Sequence, residues 1–184
     1  MSDLSLFLGQ FLRRPSEIRA IAPTGRAAAA EMARLVTPQM EAVAEIGAGT
    51  GTITRAILAT GLPPERLELY ELNAAFCTRL AERFPGTRVH NLPAQEMVNV
   101  GRKGLDAVIS GVPTLPMPDE LQAAIVGAAL SMMKPGAPFV QITYGPLPPL
   151  SEAVRARFGL SHRKSRRIWA NLPPARAYVF RQSA

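Results

Sequence analysis

The run Glu45-Ile-Gly47-Ala-Gly49-Thr-Gly51 constrains this chain more than any other stretch. A short apolar run, Val43 to Ile46, leads into it, and a helical run, Ile53 to Ala59, leads out. Three glycines at alternate positions let the backbone turn sharply and approach a ligand with no side chain in the way. Such a turn delivers its N–H groups to the start of a helix, a site for polar or anionic ligand groups. Twenty residues past Gly51, Glu71 follows a second apolar run, Leu67–Tyr70. An acidic residue there can accept both hydroxyls of a ribose. The spacing is G-x-G-x-G, whereas the dinucleotide fingerprint is G-x-G-x-x-G. A plain strand–turn–helix accounts for the glycines; it does not account for Glu45 and Glu71 together.

Around this loop the pattern alternates. Strands are predicted at Ala42–Ile46, Leu67–Leu72, Arg88–Asn91, Leu105–Ser110 and Pro138–Tyr144. Helices are predicted at Thr50–Thr60, Ala74–Phe84, Ala94–Val98 and Pro118–Met133. Alternation of this kind implies a mostly parallel sheet with right-handed crossovers and helices on both faces. After Tyr144 the rhythm changes. A short helix, Ser151 to Phe158, precedes two strands, Leu160–Trp169 and Arg176–Arg181. Asn171-Leu-Pro-Pro-Ala175 is too short for a crossover helix, so that pair is antiparallel. The expected fold is an α/β, Rossmann-like sheet of seven strands ending in an antiparallel hairpin.

The N-terminal region reads differently. From Asp3 to Arg14, the residues Leu4, Phe7, Leu8, Phe11 and Leu12 fall within an arc of roughly 140° on a helix. Arg13 and Arg14 follow, and Pro15 breaks the chain. Thr24 is placed to cap an alanine-rich helix, Gly25 to Val36. Residues 1–36 are read as membrane-binding and lid helices, and 37–184 as the α/β domain.

Composition narrows the class. At 184 residues with 47% hydrophobic content, the chain is long enough for one globular core. A lone Cys77 and two distant histidines, His90 and His162, leave no disulfide framework and no metal site. No apolar run is long enough to span a bilayer, and a reducing, cytoplasmic setting is expected. The net charge of +7 suits an anionic partner, nucleic acid or membrane surface. The arginines gather near the two ends, Arg13 to Arg26 and Arg155 to Arg167.

The Glu45–Gly51 loop resembles motif I of S-adenosylmethionine (SAM) methyltransferases. Four further segments narrow the resemblance: Phe11 to Thr24, Ser110-Gly-Val-Pro113, Phe139 to Pro146, and Trp169 to Ala175. Together they resemble the bacterial phospholipid N-methyltransferases, which convert phosphatidylethanolamine stepwise to phosphatidylcholine. That core is also similar to the rRNA adenine dimethylases. Those enzymes carry a D/N-x-P-Y type motif and a C-terminal helical domain; here Thr114 follows Pro113, and no second domain is evident. A nucleic-acid methyltransferase is thus the second reading, and a non-catalytic SAM- or membrane-binding module the third.

The resemblance implies roles for individual residues. SAM is the cofactor and S-adenosylhomocysteine the product. Gly47, Ala48, Gly49, Thr50 and Gly51 would cradle its methionine end, with Glu45 bracing the loop or meeting the ammonium. Glu71 would take the ribose hydroxyls, with Leu72 and Asn73 beside the adenine. Pro93 stands where many relatives carry an adenine-binding Asp, so the adenine falls to Ala94 and Gln95, or to Glu96. Ser110 and Gly111 close the pocket. Tyr144 would bind the substrate amine or relay its proton, with Ser110 assisting. Arg19, Arg26, Arg166 and Arg167 are candidates for the lipid phosphate and Trp169 for the headgroup. Leu4, Phe7, Leu8, Phe11, Leu12, Arg13 and Arg14 would hold a monomeric enzyme to the anionic inner face of the cytoplasmic membrane, with no nucleic-acid partner.

Overall fold

The computed structural model describes residues 24–182. The expected membrane residues Leu4, Phe7, Leu8, Phe11, Leu12, Arg13 and Arg14, and the phosphate candidate Arg19, lie outside the described residues.

Seven strands form one sheet: β1 (Val43–Ile46), β2 (Leu67–Tyr70), β3 (Arg88–His90), β4 (Ala107–Ser110), β5 (Phe139–Thr143), β6 (Leu160–Lys164) and β7 (Arg176–Gln182). Their order is β3-β2-β1-β4-β5-β7-β6. The first five are parallel; β7 runs antiparallel to both β5 and β6. The central strands β1, β2, β4 and β5 are buried throughout. That explains their near-continuous apolar sequences, since helices cover both faces of a parallel sheet.

Among the described residues, five helices flank it: α1 (Arg26–Ala33), α2 (Thr52–Leu58), α3 (Ala74–Arg83), α4 (Asp119–Met132) and α5 (Glu152–Arg157). Successive strand residues point to opposite faces. Val43, Leu69, Ile109 and Val140 pack with α1, α2 and α3. Ala44, Ile46, Val108 and Phe139 pack with α4 and α5. Helix α4 buries Leu121, Ile125, Val126, Ala129 and Met132, one stripe at helical spacing. Its first turn carries Asp119 and Glu120, which suit the positive end of the helix dipole. Asn73 caps α3, its Oδ1 accepting from the N–H groups of Ala75 and Phe76 at 2.9 and 3.3 Å.

Three local expectations are corrected. Thr24 does not cap α1; the N-cap is Gly25, with no side-chain cap, because Thr24 precedes it and bonds elsewhere. The Ala94–Val98 helix is a 3₁₀ segment, Ala94–Asn99. The strand expected to reach Trp169 stops at Lys164. The ladder resumes with N–H bonds from Ser165 to the Ala177 carbonyl and from Ile168 to the Ala175 carbonyl. Three steps on one strand thus oppose two on the other, a bulge at Arg166-Arg167.

The chain runs β1, β2, β3 outward in one direction, then crosses β1 to place β4 on its other side. In open α/β sheets such a switch point forms a crevice at the strands' C-terminal ends. The Gly47–Gly51 turn sits there.

Candidate functional site

The loop after β1 is held by its own backbone. Gly47 N–H donates to the Tyr70 carbonyl at 2.8 Å, and Gly51 N–H to the Ala48 carbonyl at 2.9 Å. Gly47, Gly49 and Gly51 have φ of 72°, 53° and 81°, the left-handed region where a side chain is strained. Two of them are also demanded by packing. A Cβ on Gly51 would stand 2.4 Å from Phe84, and one on Gly47 would stand 2.8 Å from Val112. Gly111 meets the loop from β4: a Cβ there would lie 2.8 Å from the Gly47 carbonyl oxygen. Motif I and the end of β4 therefore cross backbone to backbone. Ala48 is buried and Thr50 exposed. The N–H groups of Gly47, Ala48, Gly49 and Gly51 all have protein acceptors. What the loop offers a ligand cation is its carbonyl oxygens rather than the expected row of N–H donors.

Glu45 lies fully buried beneath the loop, on the α2 side of β1. Thr54 Oγ1, from the first turn of α2, donates to its Oε2 at 2.6 Å, while Oε1 has no partner. Burial pushes this carboxyl up to about 8, against the opposing hydrogen bonds from Thr54 and helped by the nearby Glu71 charge. An isolated carboxylate in that position is costly, so the group holds its proton near neutrality. A cation brought beside the free Oε1 would favour release of the proton.

Glu71, just past β2, aims one oxygen at each neighbour. Its Oε2 accepts from Gly49 N–H and its Oε1 from Asn73 N–H, both at 2.8 Å. The carboxylate so oriented spans the gap between motif I and α3, and each oxygen keeps a lone pair for a hydroxyl donor. Asn91 Nδ2 braces the backbone there, donating to the carbonyls of Glu71 and Leu72 at 3.0 and 2.9 Å. Leu72, Leu92 and Val112 line the α4 face as partly buried apolar side chains. Asn73 is committed to the α3 cap. After β3, Pro93 precedes buried Ala94, and Gln95 carries a buried Oε1 with no partner. A carbonyl oxygen left unpaired in this loop is an acceptor suited to an adenine amino group, where an Asp is missing. Glu96 is exposed.

Ser110, at the end of β4, sits in register opposite Gln141, in the middle of β5. Both are buried; Ser110 Oγ and Gln141 Oε1 lack partners, while Gln141 Nε2 donates to the Val112 carbonyl. Tyr144 OH lies 3.0 Å from Thr24 Oγ1. Burial raises the Tyr144 hydroxyl above its ordinary value, against the Thr24 hydrogen bond. It therefore enters the site as a neutral phenol, able to accept a hydrogen bond from an amine but not to serve as a phenolate base. Beside it, Asn171 Oδ1 accepts from Gly25 N–H at 2.7 Å, and Asn171 Nδ2 donates to the Pro173 carbonyl at 2.7 Å. Thr24, Tyr144 and Asn171 thus pin the start of α1 over the end of β5 and the start of β7.

Arg26 opens α1 at this same edge and is exposed. Arg166 and Arg167 are both exposed on the bulge. The strict alternation that would turn one inward does not hold there. Trp169 is 73% exposed, with the Arg167 guanidinium 5.2 Å above its ring. Sequence reading missed Thr54, Gln141 and Asn171. A polar residue at the centre of Phe139-Val-Gln-Ile-Thr143 was the available signal for Gln141; nothing local marks Thr54.

No protein-family model matches the chain. An ornithine lipid N-methyltransferase of Singulisphaera acidiphila is 29% identical over 198 residues, covering 98% of this chain and 97% of the relative. Among solved structures, TrmN from Thermus thermophilus superposes with a TM-score of 0.66 at 20% identity, over 86% of this chain and 49% of that one. This chain thus spans about half the length of TrmN. The N-methyltransferase NodS from Bradyrhizobium japonicum WM9, in complex with S-adenosylhomocysteine, superposes with a TM-score of 0.69 at 13% identity, over 88% and 89%. The chain has the fold of the SAM-dependent methyltransferases.

The residues present fit an S-adenosyl ligand. The crevice offers Glu71 for two hydroxyls, an orphaned Gln95 carbonyl for an amino group, and the orphaned Glu45 oxygen beneath the turn. Among the described residues, no cluster of three or more potential metal ligands occurs and no helix is long and apolar enough to cross a membrane.

Proposed function

We propose that this protein is a SAM-dependent N-methyltransferase acting on the primary amine of a lipid headgroup. The observation carrying this reading is the full-length similarity to an ornithine lipid N-methyltransferase, on a fold whose switch-point crevice fits SAM. The cofactor, when bound, supplies an electrophilic methyl on a sulfonium. Glu71 holds the ribose, Gln95 the adenine, and the Gly47–Gly51 turn with Glu45 the methionine end. The chain's main task is alignment: amine nitrogen, methyl and sulfur in line, with water excluded. Ser110, the Val112 carbonyl region and Tyr144 form the rim where that amine is held. Tyr144 accepts a hydrogen bond from the neutral amine and orients its lone pair. Arg26, Arg166 and Arg167 stand at the mouth, available to an anionic part of the headgroup.

Two headgroups merit direct comparison. The segments around Ser110, Tyr144 and Trp169 support phosphatidylethanolamine, with phosphatidylcholine as final product. The relative supports an ornithine lipid. Both present a primary amine, so the chemistry is shared. The residues 1–14, read as an amphipathic basic helix, would bring the enzyme to an anionic membrane surface. The test is competition: labelled SAM with phosphatidylethanolamine vesicles, ornithine lipid vesicles, or RNA. Label in either lipid supports the proposal; label in RNA alone overturns it.

A further inference from the structure

Four large apolar side chains stand exposed on three loops: Leu115 (43%), Leu147 (62%), Trp169 (73%) and Leu172 (88%). The topology brings them to one edge. Strands β4 and β5 are parallel and end at the site, so the loops after Ser110 and Thr143 open on that edge. Strand β7 starts opposite Thr143, and β6 ends opposite Tyr178, so their connection returns to the same edge. Scattered exposed leucines need no explanation, but a group around the mouth of a site does. Among the described residues, the other large exposed apolar side chains are Val98 and Val100. They lead into Arg102, whose Nη1 bonds the Glu41 carbonyl ahead of β1, toward the opposite edge.

These loops are braced. Thr114 Oγ1 donates to the Pro149 carbonyl at 2.8 Å, tying the Leu115 loop to the Leu147 loop. Ser151 N–H donates to Gln122 Oε1 at 2.9 Å, fixing the second loop to α4. Asn171 holds the Trp169–Leu172 turn to the start of α1. The apolar tips are therefore presented on a firm platform rather than left over from a loose one. Charge is distributed unevenly along the edge. Arg166 and Arg167 stand beside Trp169, whereas Asp119 and Glu120 follow Leu115. An anionic surface would draw in the β6–β7 end first. A second copy paired through the same patch would gather both pairs of arginines, which repel; an anionic bilayer neutralises them.

We propose that this edge is itself a membrane-docking surface, with Trp169, Leu172 and Leu147 inserted at the headgroup level of an anionic bilayer and Arg166 and Arg167 against its phosphates. The inference builds on the lipid-methylation reading, because it sets the mouth of the crevice against the bilayer that holds the substrate. It is separate from any contact made by residues 1–14.

Trp169 is the only tryptophan of the chain, so its fluorescence reports this edge alone. The full-length protein is mixed with vesicles of equal parts phosphatidylcholine and phosphatidylglycerol. A blue shift of the emission is expected, together with cosedimentation. The Leu147→Ser/Leu172→Ser variant is expected to bind those vesicles roughly a hundredfold more weakly. Val98→Ser is expected to bind like the parent. Cosedimentation with unchanged emission would overturn the proposal, as would a double variant that binds undiminished. A monomeric short-chain phosphatidylethanolamine separates this from the catalytic reading. The double variant is expected to methylate that soluble lipid at the parent rate, which confirms an intact site. If the parent methylates no soluble amine lipid, the functional reading fails while the emission result still decides the docking surface.

Discussion

Glu45→Gln is the substitution whose effect follows most directly from the geometry. The carboxyl is fully buried, has one hydrogen-bond donor in Thr54, and leaves Oε1 bare. It titrates at 4.5 when unfolded and at about 8 in the fold. Between those values the folded state binds a proton that the unfolded state has lost. Stability therefore falls as pH rises, by about 1.4 kcal/mol per pH unit. Over the interval from 4.5 to about 8, that amounts to ~5 kcal/mol. The stabilising contribution is fully present below 4.5 and is lost as pH rises through about 8. Glutamine at this position cannot ionise. Its extra buried N–H donors cost about 1–3 kcal/mol, but that penalty does not depend on pH. The assay is urea unfolding of both proteins without cofactor, at several pH values from 5 to about 8. The parent's stability is expected to drop relative to the variant across that range, and the curves to cross or converge. Parallel curves would refute the reasoning, because they would show that Glu45 is ionised in the fold.

Four other outcomes follow from the same site. Glu71→Ala removes a charged acceptor for two hydroxyls and frees the Gly49 N–H; SAM affinity by calorimetry is expected to fall on the order of a hundredfold or more. Gln95→Ala removes the orphaned side-chain carbonyl of the loop that follows β3, and a loss of about tenfold in SAM affinity is expected; unchanged affinity would assign the adenine to backbone groups. Gly51→Ala forces a Cβ toward Phe84 and strains a φ of 81°, so thermal unfolding is expected to show a loss of about 2–4 kcal/mol. Tyr144→Phe keeps the ring but drops its bond to Thr24, so kcat is expected to fall while SAM affinity holds; a fall in SAM affinity alone would remove Tyr144 from the substrate side.

Much of this arrangement is legible in the sequence, and the exceptions have physical causes. The apolar runs Val43–Ile46 and Phe139–Thr143 mark central strands because both faces are covered. The glycines of motif I mark a turn that must be left-handed three times. The acidic residue after β2 marks the side chain that bridges motif I and the start of α3, because strand length and turn length are both short. What the sequence hides is partnership across long intervals. Thr24, Tyr144 and Asn171 belong to segments more than twenty residues apart in sequence, yet converge on one helix start. The bulge at Arg166-Arg167 is equally hidden, since two adjacent arginines read as ordinary strand alternation. So is the use of the loop's N–H groups, which turn inward to Tyr70, Ala48 and Glu71 rather than outward to a ligand.

The central claim is methyl transfer to a lipid amine, and mass spectrometry tests it most directly. The purified protein is incubated with methyl-deuterated SAM and vesicles containing phosphatidylethanolamine or ornithine lipid. The account predicts lipid products carrying one or more deuterated methyl groups on the headgroup nitrogen, formed by the parent and sharply reduced in Glu71→Ala. Cofactor binding with no labelled lipid from either headgroup would contradict it.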